Sequence, residues 1–423
     1  MSVYNNMISY KKIAFFIVSI LIFSTRLSSS SSSFLESLTP DEQNQFMSSP
    51  VLFDSFLPAG VKSCGEAQCK RVSTYPQHQR PSGDITHVLF CSGFKACIEE
   101  YQTWILRSLM KAKKRVQEQE KKEIDYVCHI LTWPQQIYFP GFKRSNVIDL
   151  DSFNSYMFCL HTQVLRMYQQ GITRFILSGH SMGGHLALKY THCMRELLKY
   201  RVQGLTYSSS KKLPQTLSPL ILQLHQIMSE NAPSFAAYFY NLTGIQDMIS
   251  GLYLICPMID IKVSFPFLQW MGKWGQSLSY FLGKRLTYLL SFLKLGHWEL
   301  PGQRCKDLDG LVYSYNPKGN KRIQKMMRIY GHPSMTFNWL RAAFDSIAEL
   351  NKVDFSSFEV PVSYFQSGRE ERVCNKTMND FFGCFPQVMK FFRSEACHFP
   401  FVDGKKTQRF LLSGLLCFKR FLK

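Results

Sequence analysis

One stretch constrains this chain more than any other: Arg174 to Tyr190, RFILSGHSMGGHLALKY. It begins apolar and β-rich at Phe175, Ile176 and Leu177. It then turns through Gly179-His180-Ser181-Met182-Gly183 and leaves with Leu186, Ala187 and Tyr190 at helical spacing. The result is a strand, a sharp turn and a helix around G-x-S-x-G. A serine on such a turn holds its hydroxyl clear of the backbone, and the flanking glycines let strand and helix approach each other. The Met182 N–H then lies at a helix N-terminus, where it can stabilise an oxyanion. Ser181 is therefore the candidate nucleophile and Met182 a candidate oxyanion donor.

A serine nucleophile needs a base, and the base needs an orienting carboxylate, in the chain order serine, acid, histidine. Val360 to Gln366 (VPVSYFQ) reads as a late strand, and the loop after it carries Glu370 and Glu371. Catalytic groups of open α/β sheets collect at such strand ends. On the residues alone both carboxylates are candidates. His398 follows the last expected strand, Val388 to Arg393, and is the candidate base. His180 and His185 come too early in the fold for that role. His180 is expected to line the site beside the elbow as a substrate-binding residue. The second oxyanion donor is expected after the first strong strand, His87 to Cys91. There the Phe94 N–H is the candidate, and Gly93 permits close approach of backbone to substrate.

Around the elbow, strand patterns alternate with helical ones. Tyr126–Leu131 and Leu252–Cys256 read as buried strands. Ile98–Ala112, Asp151–Gln170 and Lys405–Lys423 read as helices. That alternation predicts a parallel or mostly parallel sheet with helices on both faces. At 423 residues the chain accommodates one large α/β domain with insertions or two smaller ones, and 45% hydrophobic against 19% charged residues excludes a disordered chain.

With 50 Lys+Arg against 30 Asp+Glu, the formal charge is +20, which favours anionic partners. No nucleic-acid module, zinc-finger spacing or basic region with heptads is present in the sequence. An anionic membrane surface is therefore expected rather than nucleic acid. Lys11 and Lys12 precede the apolar run Ile13–Phe23, too short to span a bilayer and suited to a signal peptide or an N-terminal anchor. The expected location is accordingly exported or membrane-associated. Of the 13 cysteines, Cys64 and Cys69 are spaced for a local bridge, whereas Cys91, Cys159, Cys256 and Cys417 sit in apolar segments as buried thiols. With no C-x-x-C pair and no zinc-spaced cluster, neither metal nor cofactor is expected.

The motif Gly179-His180-Ser181-Met182-Gly183-Gly184 resembles that of α/β-hydrolases of the monoacylglycerol lipase and bacterial lysophospholipase group, also described as serine aminopeptidase-like. Cys256-Pro257-Met258, the run Pro333 to Arg341 ending in W-x-R, the loop Phe365 to Val373 and the turn Ala396-Cys397-His398 are similar to further segments of that family. The resemblance implies an α/β-hydrolase fold and selects Glu371 over Glu370 as the acid. The chain is then expected to divide into an N-terminal targeting segment (1–27), a Ser-rich linker and extension (28–84), a first core part (85–257) and a second core part (351–423), with a helical cap (258–350) that the resemblance implies and an insertion at about 201–250 that is extra to the family. The chain departs from the family at Thr132-Trp133-Pro134-Gln135, where an acidic-arginine-glycine turn is usual, and at Ser92-Gly93, which replaces His-Gly.

The cap is crowded with aromatics, Trp270 and Trp274 among them as candidate substrate-binding residues, with lysines and arginines between them. An apolar, basic cap suits an acyl chain and an anionic interface. The expected activity is hydrolysis of single-chain lipid esters, lysophospholipid or monoacylglycerol, through an acyl-enzyme. An acyltransferase with the same three residues, a non-catalytic lipid-binding member of the fold and a peptidase are the alternatives.

Overall fold

In the computed structural model the described residues are 68–74, 84–94, 98–121, 123–133, 147–202, 218–262, 272–300 and 334–416, with isolated positions between 317 and 324. Among them seven strands form one sheet. They are β1 (Gln68–Ser73), β2 (Asp84–Cys91), β3 (Ile124–Thr132), β5 (Phe175–His180), β6 (Ile249–Ile255), β8 (Val362–Arg369) and β9 (Val388–Cys397). A two-stranded pair, β4 (Val147–Ile148) and β7 (Ser334–Met335), stands apart. The spatial order of the large sheet is β1-β3-β2-β5-β6-β8-β9, and every pairing is parallel except β1 with β3. The chain runs from β2 outward to β3, then crosses back over β2 to β5. Strand order therefore reverses at the β2–β5 boundary, which opens a crevice at the C-terminal ends of those two strands.

Alternation along each strand builds two cores. In β2, Val88 and Phe90 face one side while Leu89 and Cys91 face the other; in β6, Tyr253 and Ile255 part from Leu252 and Leu254 in the same way. On the first side lie α1 (Ile98–Glu120), through Tyr101, Trp104, Ile105 and Leu109, and α9 (Lys405–Leu416), through Leu411 and Leu415. The other side is covered by α2 (Asn154–Gln169), α3 (Met182–Val202), α4 (Pro219–Asn231), α5 (Pro233–Phe239), α7 (Phe337–Leu350) and α8 (Asn375–Phe382). The covered faces explain why the central strands are apolar on both sides. β5 and β6 have no exposed residue.

Three sequence expectations need adjusting. The stretch expected to be an N-terminal extension supplies β1, an antiparallel edge strand. Buried Asp125 bolts it down, accepting from Thr74 at 2.8 Å and pairing with Lys113 of α1 at 2.5 Å. Cys69 in β1 is a free thiol, against the expected bridge; Cys64 lies outside the described residues. The end of the expected cap, α7, is a core helix: Trp339, Ala343, Phe344, Ile347 and Leu350 recur at three- and four-residue spacing and are buried. The helix within the expected cap, α6 (Gly272–Phe292), is tied to α7 by Tyr288 to Asp345 and Ser291 to Asn338, yet leaves Phe281, Leu289 and Phe292 in solvent. The N-terminal segment 1–67, with Ile13–Phe23, falls outside the described residues, as does Cys417. Among the described residues no helix is long and apolar enough to cross a membrane.

Candidate active site

Ser181 follows directly after β5 and adopts φ +53°, a left-handed conformation that costs a non-glycine residue about 1–3 kcal/mol. The surroundings hold it there. Its N–H donates to Ile255 O at 2.9 Å, and its carbonyl accepts from His185 N–H at 3.1 Å and Met258 N–H at 3.0 Å. The glycines are obligatory for a steric reason. A Cβ on Gly183 would lie 2.2 Å from Cys91 O and 2.3 Å from Ser92 O, and one on Gly179 would lie 2.4 Å from the Gly183 carbonyl. The start of α3 thus packs directly on the turn after β2.

The serine hydroxyl meets His398 Nε2 at 2.9 Å, and His398 Nδ1 meets Glu370 Oε2 at 2.9 Å. Three elements, β5, β9 and β8, deliver these groups to one rim of the sheet. Glu370 is buried, and burial alone would raise its pKa. The His398 ring and the N–H groups of Arg372 (2.7 Å) and Val373 (3.2 Å) outweigh that and hold the carboxyl below its ordinary value. The carboxylate therefore stays ionised and fixes His398 with Nδ1 protonated and Nε2 free to accept from Ser181.

The expected acid, Glu371, is one position out. It is exposed, while Glu370 turns inward at the end of β8. The loop explains the choice. Residues 371–373 fold back so that two N–H groups cap Oε1 of Glu370, and Lys262 Nζ holds the Glu370 carbonyl at 2.5 Å. A motif register carried over from a family with a shorter acid does not resolve which of two adjacent glutamates the turn points inward.

His180 and Gly93, expected to bind substrate, are used otherwise. His180 is buried, and burial lowers its pKa to about 3, so the ring is neutral. Its Nε2 lies 2.8 Å from the carbonyl of His398, which only accepts, so Nε2 carries the proton. Nδ1 then accepts from the Tyr101 hydroxyl at 2.8 Å, and that hydroxyl accepts from Gly93 N–H at 2.9 Å. No polar atom of His180 is left for a substrate. Gly93 contributes space instead, since a Cβ there would lie 2.6 Å from His180 Nδ1. Met182 is the first residue of α3, so its N–H has no acceptor within the helix. Phe94 sits in the turn after β2 with its ring 4.0 Å from that of Trp339. Trp270 and the Trp274 side chain lie outside the described residues.

The peptide groups beside His398 are anchored too. Cys397 N–H donates to Asp403 at 2.7 Å, and Cys397 O accepts from Ser367, whose Oγ lies 3.1 Å from Cys256 Sγ. Cys256 Sγ, Glu370 and His398 have donor atoms within 4.8 Å of one another, a metal-capable group among the described residues. The carboxylate and imidazole are already bonded to each other, and burial holds the thiol protonated, its pKa well above the usual value. The arrangement suits proton transfer from Ser181 to His398 beside an ionised Glu370 better than metal binding. Tyr101, Trp133 and Asp403 went unnoticed as site residues in the sequence. Trp133 alone left a trace there, in the departure at Thr132-Trp133-Pro134.

A mostly parallel sheet of this order, with serine, histidine and carboxylate on its C-terminal rim, is the α/β-hydrolase fold. Solved structures of that fold superpose on most of the chain. A soluble variant of monoglyceride lipase from Saccharomyces cerevisiae, in complex with a substrate analogue, matches with a TM-score of 0.50 at 14% identity, covering 84% of this chain and 92% of its own. A Paleococcus ferrophilus monoacylglycerol lipase gives 0.49 at 15% identity over 83% and 99%. A membrane phospholipase A described as a bacterial virulence factor gives 0.43 at 14% over 84% of each chain. At such identities the likeness is one of fold. No protein-family model matches the sequence, and no curated protein does.

Proposed function

We propose that the protein is a serine carboxylester hydrolase acting on single-chain lipid esters through an acyl-enzyme. The observation that carries this reading is the unbroken relay Ser181–His398–Glu370, with both hydrogen bonds at 2.9 Å and the serine held at a strained turn. Ser181 Oγ attacks the ester carbonyl as His398 Nε2 takes its proton. Glu370 stabilises the imidazolium that forms. The Met182 and Phe94 N–H groups receive the oxyanion. His398 then protonates the departing alcohol, and water, deprotonated by the same ring, releases the fatty acid.

The lipid part of the reading is supported by the cap. Phe281, Leu289 and Phe292 are exposed on α6 while Arg285 lies over the Phe281 ring at 5.3 Å, an apolar face with a cationic fringe. Together with the net charge of +20, this favours work at an anionic membrane surface, and the apolar run at Ile13–Phe23 favours export or anchorage there. The same fold serves a monoglyceride lipase in yeast. A panel of monoacylglycerols and lysophospholipids on wild type and Ser181→Ala tests the proposal, with labelling by a fluorophosphonate. Wild-type hydrolysis and labelling, both absent in the variant, are expected. An unlabelled wild type refutes the reading, and acyl transfer to an added alcohol in preference to water would recast it as a transferase.

A further inference from the structure

The turn after β2 is restrained more heavily than a connection requires. The Ser92–Gly93 peptide is gripped at both ends. Its carbonyl oxygen accepts from the Trp133 indole N–H at 2.7 Å, and its N–H donates to the Tyr101 hydroxyl at 2.9 Å. The preceding peptide is fixed as well, through Ser92 N–H to Leu131 O at 2.9 Å. Both gripping side chains are fully buried; Trp133 packs on Tyr156 with ring centroids 5.3 Å apart, and Tyr101 packs on Phe90 at 4.9 Å. A planar peptide held at oxygen and at nitrogen cannot swing about its own long axis. The next N–H along the chain is that of Phe94. Only Gly93 intervenes, and the ring of Phe94 is itself seated on Trp339 at 4.0 Å.

We propose that Trp133 and Tyr101 are positioning residues that aim the Phe94 N–H at the oxyanion through the Ser92–Gly93 peptide. The assignment rests on the serine-hydrolase reading above. Oxyanion donors act by being oriented before charge develops, so a donor free to swing gives up part of its effect as reorganisation. The two residues divide the work. Trp133 holds the oxyanion turn alone. Tyr101 also donates to His180, which holds the His398 carbonyl at 2.8 Å, so it ties the oxyanion turn to the loop of the base.

The test uses the full chain with competent sites counted by end-point fluorophosphonate titration and a soluble p-nitrophenyl butyrate assay. Trp133→Phe keeps an aromatic ring against Tyr156 and removes the indole N–H. It is expected to lower kcat about ten- to a hundred-fold, a fraction of what losing an oxyanion donor outright costs, with KM within about two-fold. Affinity for a trifluoromethyl ketone, whose serine adduct carries the oxyanion, should fall by the same factor as kcat/KM. The pH profile of kcat should keep its shape. Tyr101→Phe, the second variant should the first fail to fold, should lower kcat at least as far and also shift the pH profile, because it releases the His398 carbonyl's support. If either variant merely melts earlier and turns over at the wild-type rate per titrated site, the residues are structural and the proposal is overturned while the hydrolase reading stands. If wild type neither labels nor hydrolyses, both fall together.

Discussion

The sheet rim around Ser181 and the exposed helix α6 are built on opposite principles. On the sheet side, the polar groups around Ser181 are locked by named partners: Glu370 by three hydrogen bonds, His180 through both nitrogens, the Ser92–Gly93 peptide at both ends. In the expected cap, α6 presents Phe292 83% exposed beside exposed Phe281 and Leu289, a face that no described part of the chain covers. The difference separates two demands. Covalent chemistry needs atoms fixed before the reaction. Recognition of a lipid or its surface needs apolar area that is left for the lipid to cover.

If the division is right, variants on the two sides should fail differently, and the failures can be ranked. The largest effect belongs to the relay. Ser181→Ala should lower kcat on a soluble short-chain ester by about 10⁴-fold or more, with the melting temperature preserved. Next comes the choice of acid. Glu370→Gln should cost about 10³- to 10⁴-fold in kcat, whereas Glu371→Gln stays within about two-fold; the reverse ranking would restore the register implied by the family resemblance. Third is the cost of a rigid polar core in acid.

His129, His161, His180 and His185 are each lowered by burial to about 3. Their pKa values are lower folded than unfolded, so the unfolded chain binds more protons between these values and the ordinary value of about 6.5. Stability is therefore full above about pH 6.5 and falls as pH drops. With four such groups and ordinary domain stability, unfolding followed by circular dichroism should be half complete near about pH 5. Replacing His161 by Gln, far from the relay, should move that midpoint down by roughly a few tenths of a unit. The smallest effect should come from the cap. Phe292→Ser should weaken partition onto anionic vesicles by about three- to ten-fold and leave kcat on a soluble ester within about two-fold. A cap variant that abolished soluble-ester turnover would break the contrast.

What the sequence disclosed follows the same line. The elbow was legible because its local requirements are absolute: Gly179 and Gly183 have no room for a Cβ, and the strand and helix around Ser181 carry clean periodicities. The fold class was legible because β2, β5 and β6 are buried on both faces and read as continuous apolar runs. The acid was legible only to within one residue. Which glutamate turns inward depends on hydrogen bonds made by Arg372, Val373 and Lys262 in a loop without periodicity. Tyr101 and Trp133 were hidden for a related reason. A buried aromatic looks the same in a sequence whether its polar tip is idle or holds a peptide 41 positions away, as Trp133 does at Ser92. His180 was misread because proximity to the serine in the chain is not access to its substrate; the alternation of β5 sends the imidazole into the packing under the His398 loop.

The distance along the chain between Ser181 and His398, 217 positions, has a consequence for the time at which the protein becomes active. At about 5–20 residues per second, a ribosome makes the serine roughly 10–40 s before it makes the histidine. Once β6 has followed β2 and β5 out of the ribosome, Ile255 can receive the Ser181 N–H and the elbow can form, but its hydroxyl has no base. The growing chain thus holds Ser181 without its base until β9 docks at the sheet edge and brings His398 to it.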